Sequence, residues 1–230
     1  MKKKIAILGS TGSIGTTSLN IFKKNKNKFD IILLAANRNY SLICKQIKVF
    51  KPKYYIICNK LVFKKVEKKF KNKKIQIYNN FSDLNFKKKK FDITISSIVG
   101  IAGLSPTIKF VKYSKKILLA NKETIICGWH LIKNLSKTHK TEIIPVDSEH
   151  FSIDQLTRNC KDKDIEKIYL TASGGPFLNK SLKSFKSIRA SDAIKHPKWK
   201  MGKKISIDSS NLMNKVLETI EAYRLFPFKI

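Results

Sequence analysis

A doubly wound parallel α/β sheet followed by a partial α+β domain is the fold this 230-residue sequence predicts. Three features carry the expectation. Short apolar runs alternate with longer amphipathic stretches through residues 1–146, a glycine-rich segment GSTGSIG separates the first run from the first such stretch, and after Glu142 the chain turns into a series of short polar motifs. Alternating strand and helix implies parallel strands joined by right-handed crossovers. Residues 1–146 are expected to form the first domain and 147–230 the second.

The strands follow in order as Lys4 to Leu8, Asp30 to Ala36, Tyr54 to Cys58, Ile75 to Tyr78, Phe91 to Ile95, Ile117 to Ala120 and Glu142 to Val146. Each is rich in Ile, Leu, Val or Tyr and bounded by polar or glycine-containing turns, as buried strands are. Ile14 to Lys24, Tyr40 to Lys51 and Lys60 to Lys71 are amphipathic and long enough for helices. The lysine-dense pieces KKFKNKK and FKKKKF fall at helix ends and loops and read as solvated surface.

Composition narrows the function. Apolar residues make up 42% of the chain, enough for a sizeable core, while 48 Lys+Arg against 16 Asp+Glu give a formal charge of +32. Such a charge suits nucleic acid or an anionic surface. Yet only Arg38, Arg158, Arg189 and Arg224 are arginines, and the lysines are scattered instead of forming one stripe. Phosphate-tracking surfaces favour the bidentate Arg fork and one charged face, so no nucleic-acid partner is expected. Cys44, Cys58, Cys127 and Cys160 lack zinc-binding spacing. The apolar run at the start is broken by Gly9, and no stretch reaches the roughly 18 apolar residues of a membrane span. A soluble, cytoplasmic protein without a membrane partner is expected.

Gly9, Ser10, Thr11, Gly12, Ser13, Ile14 and Gly15 follow a strand and open a helix, the context of a dinucleotide fingerprint in a Rossmann-like domain. Glycines permit the tight turn and close approach to a pyrophosphate, and helix N–H groups meet its charge. The next strand ends in Asn37, Arg38 and Asn39, with no carboxylate to accept from ribose hydroxyls. Arg38 can grip a 2′-phosphate with Asn37 and Asn39 beside it, so NADP is favoured over NAD.

In PVDSEH, Asp147 and Glu149 lie two residues apart at a strand end, where alternating side chains share a side and repel unless a cation intervenes. Such hard oxygen ligands suit magnesium or manganese better than zinc. A last helix is expected from about Asn211 to Phe226, N-capped by Ser209 or Ser210. Its buried stripe would be Leu212, Met213, Val216, Leu217, Ile220 and Tyr223. Asn214, Glu218 and Glu221 fall on another face with Lys215 beside them. Glu218 can then join Asp147 and Glu149 on a metal, while Asn214, Lys215 and the capping serine hold a phosphate near the helix start.

GSTGSIG, LLANKET, PVDSEH, SGGPF, HPKWKMGKKISIDSS and MNKVLETIEAYRLF, in this order and spacing, resemble the 1-deoxy-D-xylulose 5-phosphate reductoisomerase family. The resemblance implies NADPH-dependent rearrangement and reduction of that phosphorylated sugar to 2-C-methyl-D-erythritol 4-phosphate, in non-mevalonate isoprenoid biosynthesis. It implies Asp147, Glu149 and Glu218 as ligands of magnesium, manganese or cobalt. Ser148 and Lys122 would contact the substrate backbone, with Lys122 near the nicotinamide, and Ser173, Ser209, Asn214 and Lys215 would hold the phosphate. Asn121, Glu123 and Gly202 would lie on the cofactor. His196, Trp199 and Met201 would sit on a lid between Ser173 and Lys203 that closes over the substrate. Lys122, Glu149 and His196 are the implied catalytic residues.

The chain departs from the family where Val216 replaces a glycine and Ser210 an alanine. Family members also continue beyond its last residues, so the second domain is expected to be incomplete at its C-terminus, and the family's homodimer is left open for this chain. Two alternatives stand beside the enzyme: an inactive NADPH-binding remnant, and a basic nucleic-acid-binding protein.

Overall fold

The computed structural model describes residues 1–86, 90–195, 197 and 202–226. The chain divides into two compact units, Met1–Asp147 and Ser148–Ile230. The first contains β1 (Lys3–Leu8), α1 (Ser13–Lys24), β2 (Phe29–Ala36), α2 (Tyr40–Phe50), β3 (Tyr54–Ile57), α3 (Lys60–Phe70) and β4 (Gln76–Tyr78). It continues with β5 (Phe91–Ser96), α4 (Leu104–Val111), β6 (Ser114–Leu119), α5 (Lys122–His139) and β7 (Glu142–Pro145). The seven strands form one parallel sheet in the order β4-β3-β2-β1-β5-β6-β7. All seven strands expected from the sequence are present.

Alternation along β1 shows why the sheet must be covered on both sides. Ile5 and Ile7 face a cluster with Leu19 of α1, Ile43 and Ile47 of α2 and Val66 of α3. Ala6 and Leu8 face the opposite cluster with Phe91, Phe110 and Tyr113. All four β1 residues are fully buried, and large aliphatic side chains contribute roughly 1.5–3 kcal/mol each on burial. The second cluster is aromatic: Phe91 stacks on Phe110 at 5.6 Å, and Phe86 meets Tyr113 edge-on at 5.1 Å. Three helices begin at an asparagine whose side chain accepts from the backbone N–H three positions on: Asn39 from Leu42 N at 3.1 Å, Asn59 from Val62 N at 3.0 Å and Asn121 from Thr124 N at 2.8 Å. Such caps satisfy N–H groups that the helix cannot.

The second unit contains α6 (Ser148–Thr157), α7 (Ala190–Ala193), α8 (Lys203–Ser210) and α9 (Met213–Leu225), with 3₁₀ turns at Asp162–Asp164 and Leu182–Ser187. Among the described residues it has no strand, so the strand content expected of an α+β domain does not appear there. Its last helix reverses the expected facing. Asn214, Glu218, Glu221 and Ala222 are buried, whereas Leu212, Met213, Val216 and Tyr223 are 53, 46, 51 and 68% exposed. The polar stripe is turned inward because it has partners there, described below. No helix among the described residues is long and apolar enough to cross a membrane.

At the amino ends of the central strands, Asp92 accepts from Lys4 N at 2.8 Å and pairs with Lys115 Nζ at 2.8 Å. The Lys115 and Lys4 bonds hold its carboxyl below the usual carboxylate range. A depressed carboxylate stabilises the fold above its unfolded pKa, and that contribution is lost as pH falls through the folded pKa. Asp92→Asn is therefore expected to lower stability by about 0.5–1 kcal/mol at pH 7, with the deficit closing toward pH 3. Urea denaturation of both proteins at the two pH values measures it; a deficit unchanged at low pH would rule out this origin.

Candidate active site

The order of strands reverses at β1, which lies between β2 and β5. Ligands of doubly wound sheets bind at the carboxyl ends of strands beside such a reversal. GSTGSIG leaves β1 there. Gly9 has φ +93°, and a Cβ on it would lie 2.7 Å from the Ser97 carbonyl oxygen. The loop following β1 thus passes directly against the one following β5, an approach open only to glycine. Ser97 fastens it from the other side, donating from N and from Oγ to the Leu8 carbonyl, both at 2.9 Å. Gly12 N donates to Gly9 O at 3.0 Å, folding the loop into a tight turn, and no side chain caps the α1 N-terminus. Gly12, Ser13 and Ile14 are exposed and Thr11 half-buried, while Gly15 is buried. Free helix N–H groups at such an end suit an anion.

Ser10, expected on the cofactor, is fully buried. Its N donates to Ala35 O, its Oγ to Gln46 and its carbonyl accepts from Gln46. It supports the loop from below. Asn37, Arg38 and Asn39 are exposed at the end of β2. Asn39 Oδ1 is engaged as the α2 cap, so that oxygen serves the helix. Asn121 is likewise buried, and its side chain donates to the carbonyls of Ile98 and Gly100 while capping α5. It ties the loop after β5 to α5. Lys122 and Glu123 follow in the first turn of α5, both half-buried.

In the second unit the period-two geometry expected for Asp147 and Glu149 does not hold. The strand β7 ends at Pro145, and Glu149 lies in the first turn of α6; Asp147 is the last residue of the first unit. A helical start beginning with Ser148 sets Glu149 instead toward α9. There Lys215 Nζ lies 2.8 Å from Glu149 Oε1 and 2.5 Å from Glu218 Oε2. Two carboxylates 69 positions apart in the chain converge on one positive charge. Burial alone would raise the Glu149 carboxyl, but hydrogen bonds from Lys215 and Ser148 outweigh it and bring it down to about 2. Burial would lower the Lys215 ammonium; the bonds to Glu149 and Glu218 raise it instead. Asn214 donates from Nδ2 to Glu218 Oε1, fixing the carboxylate one turn on.

His150 completes the cluster and was not singled out by sequence. It is fully buried, its Nε2 2.9 Å from the Glu218 carbonyl oxygen and its Nδ1 3.4 Å from Glu221 Oε2, with Phe226 stacked at 6.4 Å. The polar periodicity of Asn214, Glu218 and Glu221 was the available signal: a stripe of that kind facing inward requires a polar partner. A cleft of about 540 Å³ opens beside Ser148 and Glu149, lined also by Ser152, Ile153, Leu156 and Ile168.

Ser209 and Ser210 lie in the last turn of α8 and do not cap α9. The α9 N-cap is Leu212, left-handed at φ 62°, and Asn211 Oδ1 accepts from Met213 N at 3.1 Å. The helix expected from about Asn211 to Phe226 is present as α9, starting two residues later and with a different cap, after a separate helix α8. Gly175 has φ +66°, and a Cβ there would lie 2.5 Å from the Ser209 carbonyl oxygen. The SGGPF turn, carrying half-buried Ser173, therefore packs its backbone on the end of α8. Gly202 is the exposed N-cap of α8. His196, Trp199 and Met201 lie outside the described residues.

The 1-deoxy-D-xylulose 5-phosphate reductoisomerase profile matches residues 5–128, and the profile of that enzyme's C-terminal domain matches residues 143–226. The chain is 51% identical over 227 residues to the 1-deoxy-D-xylulose 5-phosphate reductoisomerase of Pelagibacter ubique, an alignment covering 97% of this chain and 58% of the relative. It is 45% identical over 224 residues to that of Thermodesulfovibrio yellowstonii, covering 97% and 59%. It thus spans 58 to 59% of the length of these curated relatives. Among solved structures, the Zymomonas mobilis reductoisomerase in complex with NADPH aligns at a TM-score of 0.89 and 32% identity, over 100% of this chain and 59% of that one. A DOX-P reductoisomerase in complex with NADPH, fosmidomycin and magnesium aligns at 0.85 and 34%, over 99% and 59%.

His150→Ala removes a buried ring and leaves the Glu221 carboxyl buried without that contact. A loss of about 3 kcal/mol or more is expected. Denaturant titration followed by far-UV circular dichroism measures it; a variant as stable as the parent would show that α6 and α9 do not depend on this side chain.

Proposed function

The chain belongs to the 1-deoxy-D-xylulose 5-phosphate reductoisomerase family, and on that premise we propose that it carries out the NADPH- and divalent-metal-dependent conversion of 1-deoxy-D-xylulose 5-phosphate to 2-C-methyl-D-erythritol 4-phosphate. The observation that carries the proposal is the convergence of Glu149 and Glu218 oxygens on a single cationic nitrogen at 2.8 and 2.5 Å. A site that gathers two hard anionic donors around one positive charge fits magnesium, manganese or cobalt. Asp147, adjacent in sequence to the start of α6, is the third donor we assign.

When bound, the metal supplies Lewis acidity to the sugar's carbonyl and hydroxyl oxygens and the nicotinamide supplies the hydride. The chain's own residues bind and orient. Lys215 is a resident counter-charge for the two carboxylates; once they are neutralised otherwise, its ammonium is released to the substrate phosphate with Asn214, Ser209 and Ser173. The Gly175 approach to Ser209 supports placing those two serines on one phosphate. Ser148 and Lys122 orient the sugar backbone. His196, Trp199 and Met201, outside the described residues, are assigned to the lid that excludes water, with Gly202 at its end.

For the cofactor, the exposed glycine turn at the β1/β5 reversal receives the pyrophosphate and Arg38 the 2′-phosphate. We assign the reaction to the cytoplasm, a setting suited to four cysteines that are all free, three of them exposed.

NADPH consumption with 1-deoxy-D-xylulose 5-phosphate and magnesium tests the reading. Glu149→Gln is expected to lose roughly 100-fold or more in kcat with NADPH affinity retained; rates equal to the parent's would refute the ligand assignment. Arg38→Ala is expected to raise the KM for NADPH about 10- to 100-fold and leave NADH nearly unaffected. Parallel losses for both nucleotides would remove Arg38 from the 2′-phosphate.

A further inference from the structure

Beneath the glycine turn lies a buried polar trio that the reaction does not use directly. Ser10, Gln46 on α2 and Tyr55 on β3 are 0, 3 and 0% exposed. Ser10 Oγ donates to Gln46 Oε1 at 2.8 Å, Tyr55 OH donates to the same oxygen at 2.6 Å, and the two hydroxyls lie 3.1 Å apart. Gln46 Nε2 in turn donates to the Ser10 carbonyl at 2.8 Å. Gln46 therefore grips Ser10 twice, by its side chain and by its backbone.

Such a trio is costly in an interior that aliphatic residues could fill. Polar groups lose hydration on burial, and a hydrogen-bonded network only offsets that loss when every member is satisfied. Its neighbours on α2, Ile43, Cys44 and Ile47, belong to the apolar core, so Gln46 interrupts an otherwise greasy face. What the trio secures is direction. The Ser10 carbonyl belongs to the Ser10–Thr11 peptide, and the described chain contains no cis bond. In a trans peptide N–H and C=O point opposite ways. Holding the Ser10 carbonyl down toward Gln46 turns the Thr11 N–H up, away from the core. The preceding residue is anchored as well, Gly9 N and Ser10 N both donating to Ala35 O at 3.0 and 2.8 Å.

We infer that Gln46 and Tyr55 are positioning residues for the nucleotide pyrophosphate, acting through Ser10 to aim the Thr11 N–H at the anion. The inference deepens the proposed function and depends on its premise that this turn receives NADPH. Tyr55 completes the grip: burial pushes its phenol up, so it stays a donor to Gln46 at any working pH. Binding turns hold anions through geometry set to about half an ångström, and the residues beneath them set that geometry.

Gln46→Met keeps length and volume and deletes both bonds to Ser10; Tyr55→Phe deletes one hydroxyl and serves if the first variant folds poorly. The full chain and both variants are titrated with NADPH and, separately, with 2′-AMP, which carries the Arg38 end of the cofactor but no pyrophosphate. Gln46→Met is expected to weaken NADPH about 10-fold and Tyr55→Phe about 3-fold, with 2′-AMP affinity unchanged. A folded Tyr55→Phe or Gln46→Met chain that binds NADPH like the parent overturns the inference, as does an equal loss for both probes, which would mark general loosening. Failure of the parent chain to bind NADPH at all would instead overturn the proposed function, and the inference with it.

Discussion

Central strand β1 is the constraint on which the first unit depends. Paired in parallel with β2 on one side and β5 on the other, with every side chain from Ile5 to Leu8 buried, it can move neither up nor down the sheet. The chain leaves it at the one place where the winding changes sense, and Gly9 must then pass within contact of the Ser97 carbonyl. A side chain at that position would push the two loops apart and open the glycine turn. Fold and site are therefore fixed by the same few backbone atoms.

The second unit is organised by charge more than by apolar burial. Its α9 turns Asn214, Glu218 and Glu221 inward and leaves Met213, Val216 and Tyr223 outside. Burying carboxylates is unfavourable unless they are paired, and each has company: Lys215 for Glu218, His150 for Glu221. The hydrophobic stripe was the wrong guide to which face packs, because the pairing available inward outweighs the transfer of a few half-exposed aliphatic groups.

Legibility in the sequence followed the same division. The seven strands could be read because each is an uninterrupted apolar run bounded by turns, and burial on both faces leaves no other pattern. Helices α2 and α3 showed through their amphipathic stripes. Helices α6 and α8 did not, since residues such as Ser148, Glu149 and Ser152, or Ser206 and Asp208, carry neither period strongly. At the site, the acids and Lys215 could be named from motif and spacing, but not that Glu149 sits on a helix, nor that His150 on α6 reaches across to α9. Gln46 and Tyr55 were invisible for a related reason: inside an apolar periodicity, one polar residue reads as noise until its partner from another strand is seen.

The ammonium held between Glu149 and Glu218 is a counter-ion that the chain carries with it. Being tethered, it occupies the carboxylates at a high effective concentration, with none of the translational entropy loss a free ion incurs. A monovalent ion brings no more charge than the lysine already supplies, so it gains little by competing for those oxygens. Taking its place on the same oxygens, at the metal site proposed above, would therefore call for an ion of higher charge.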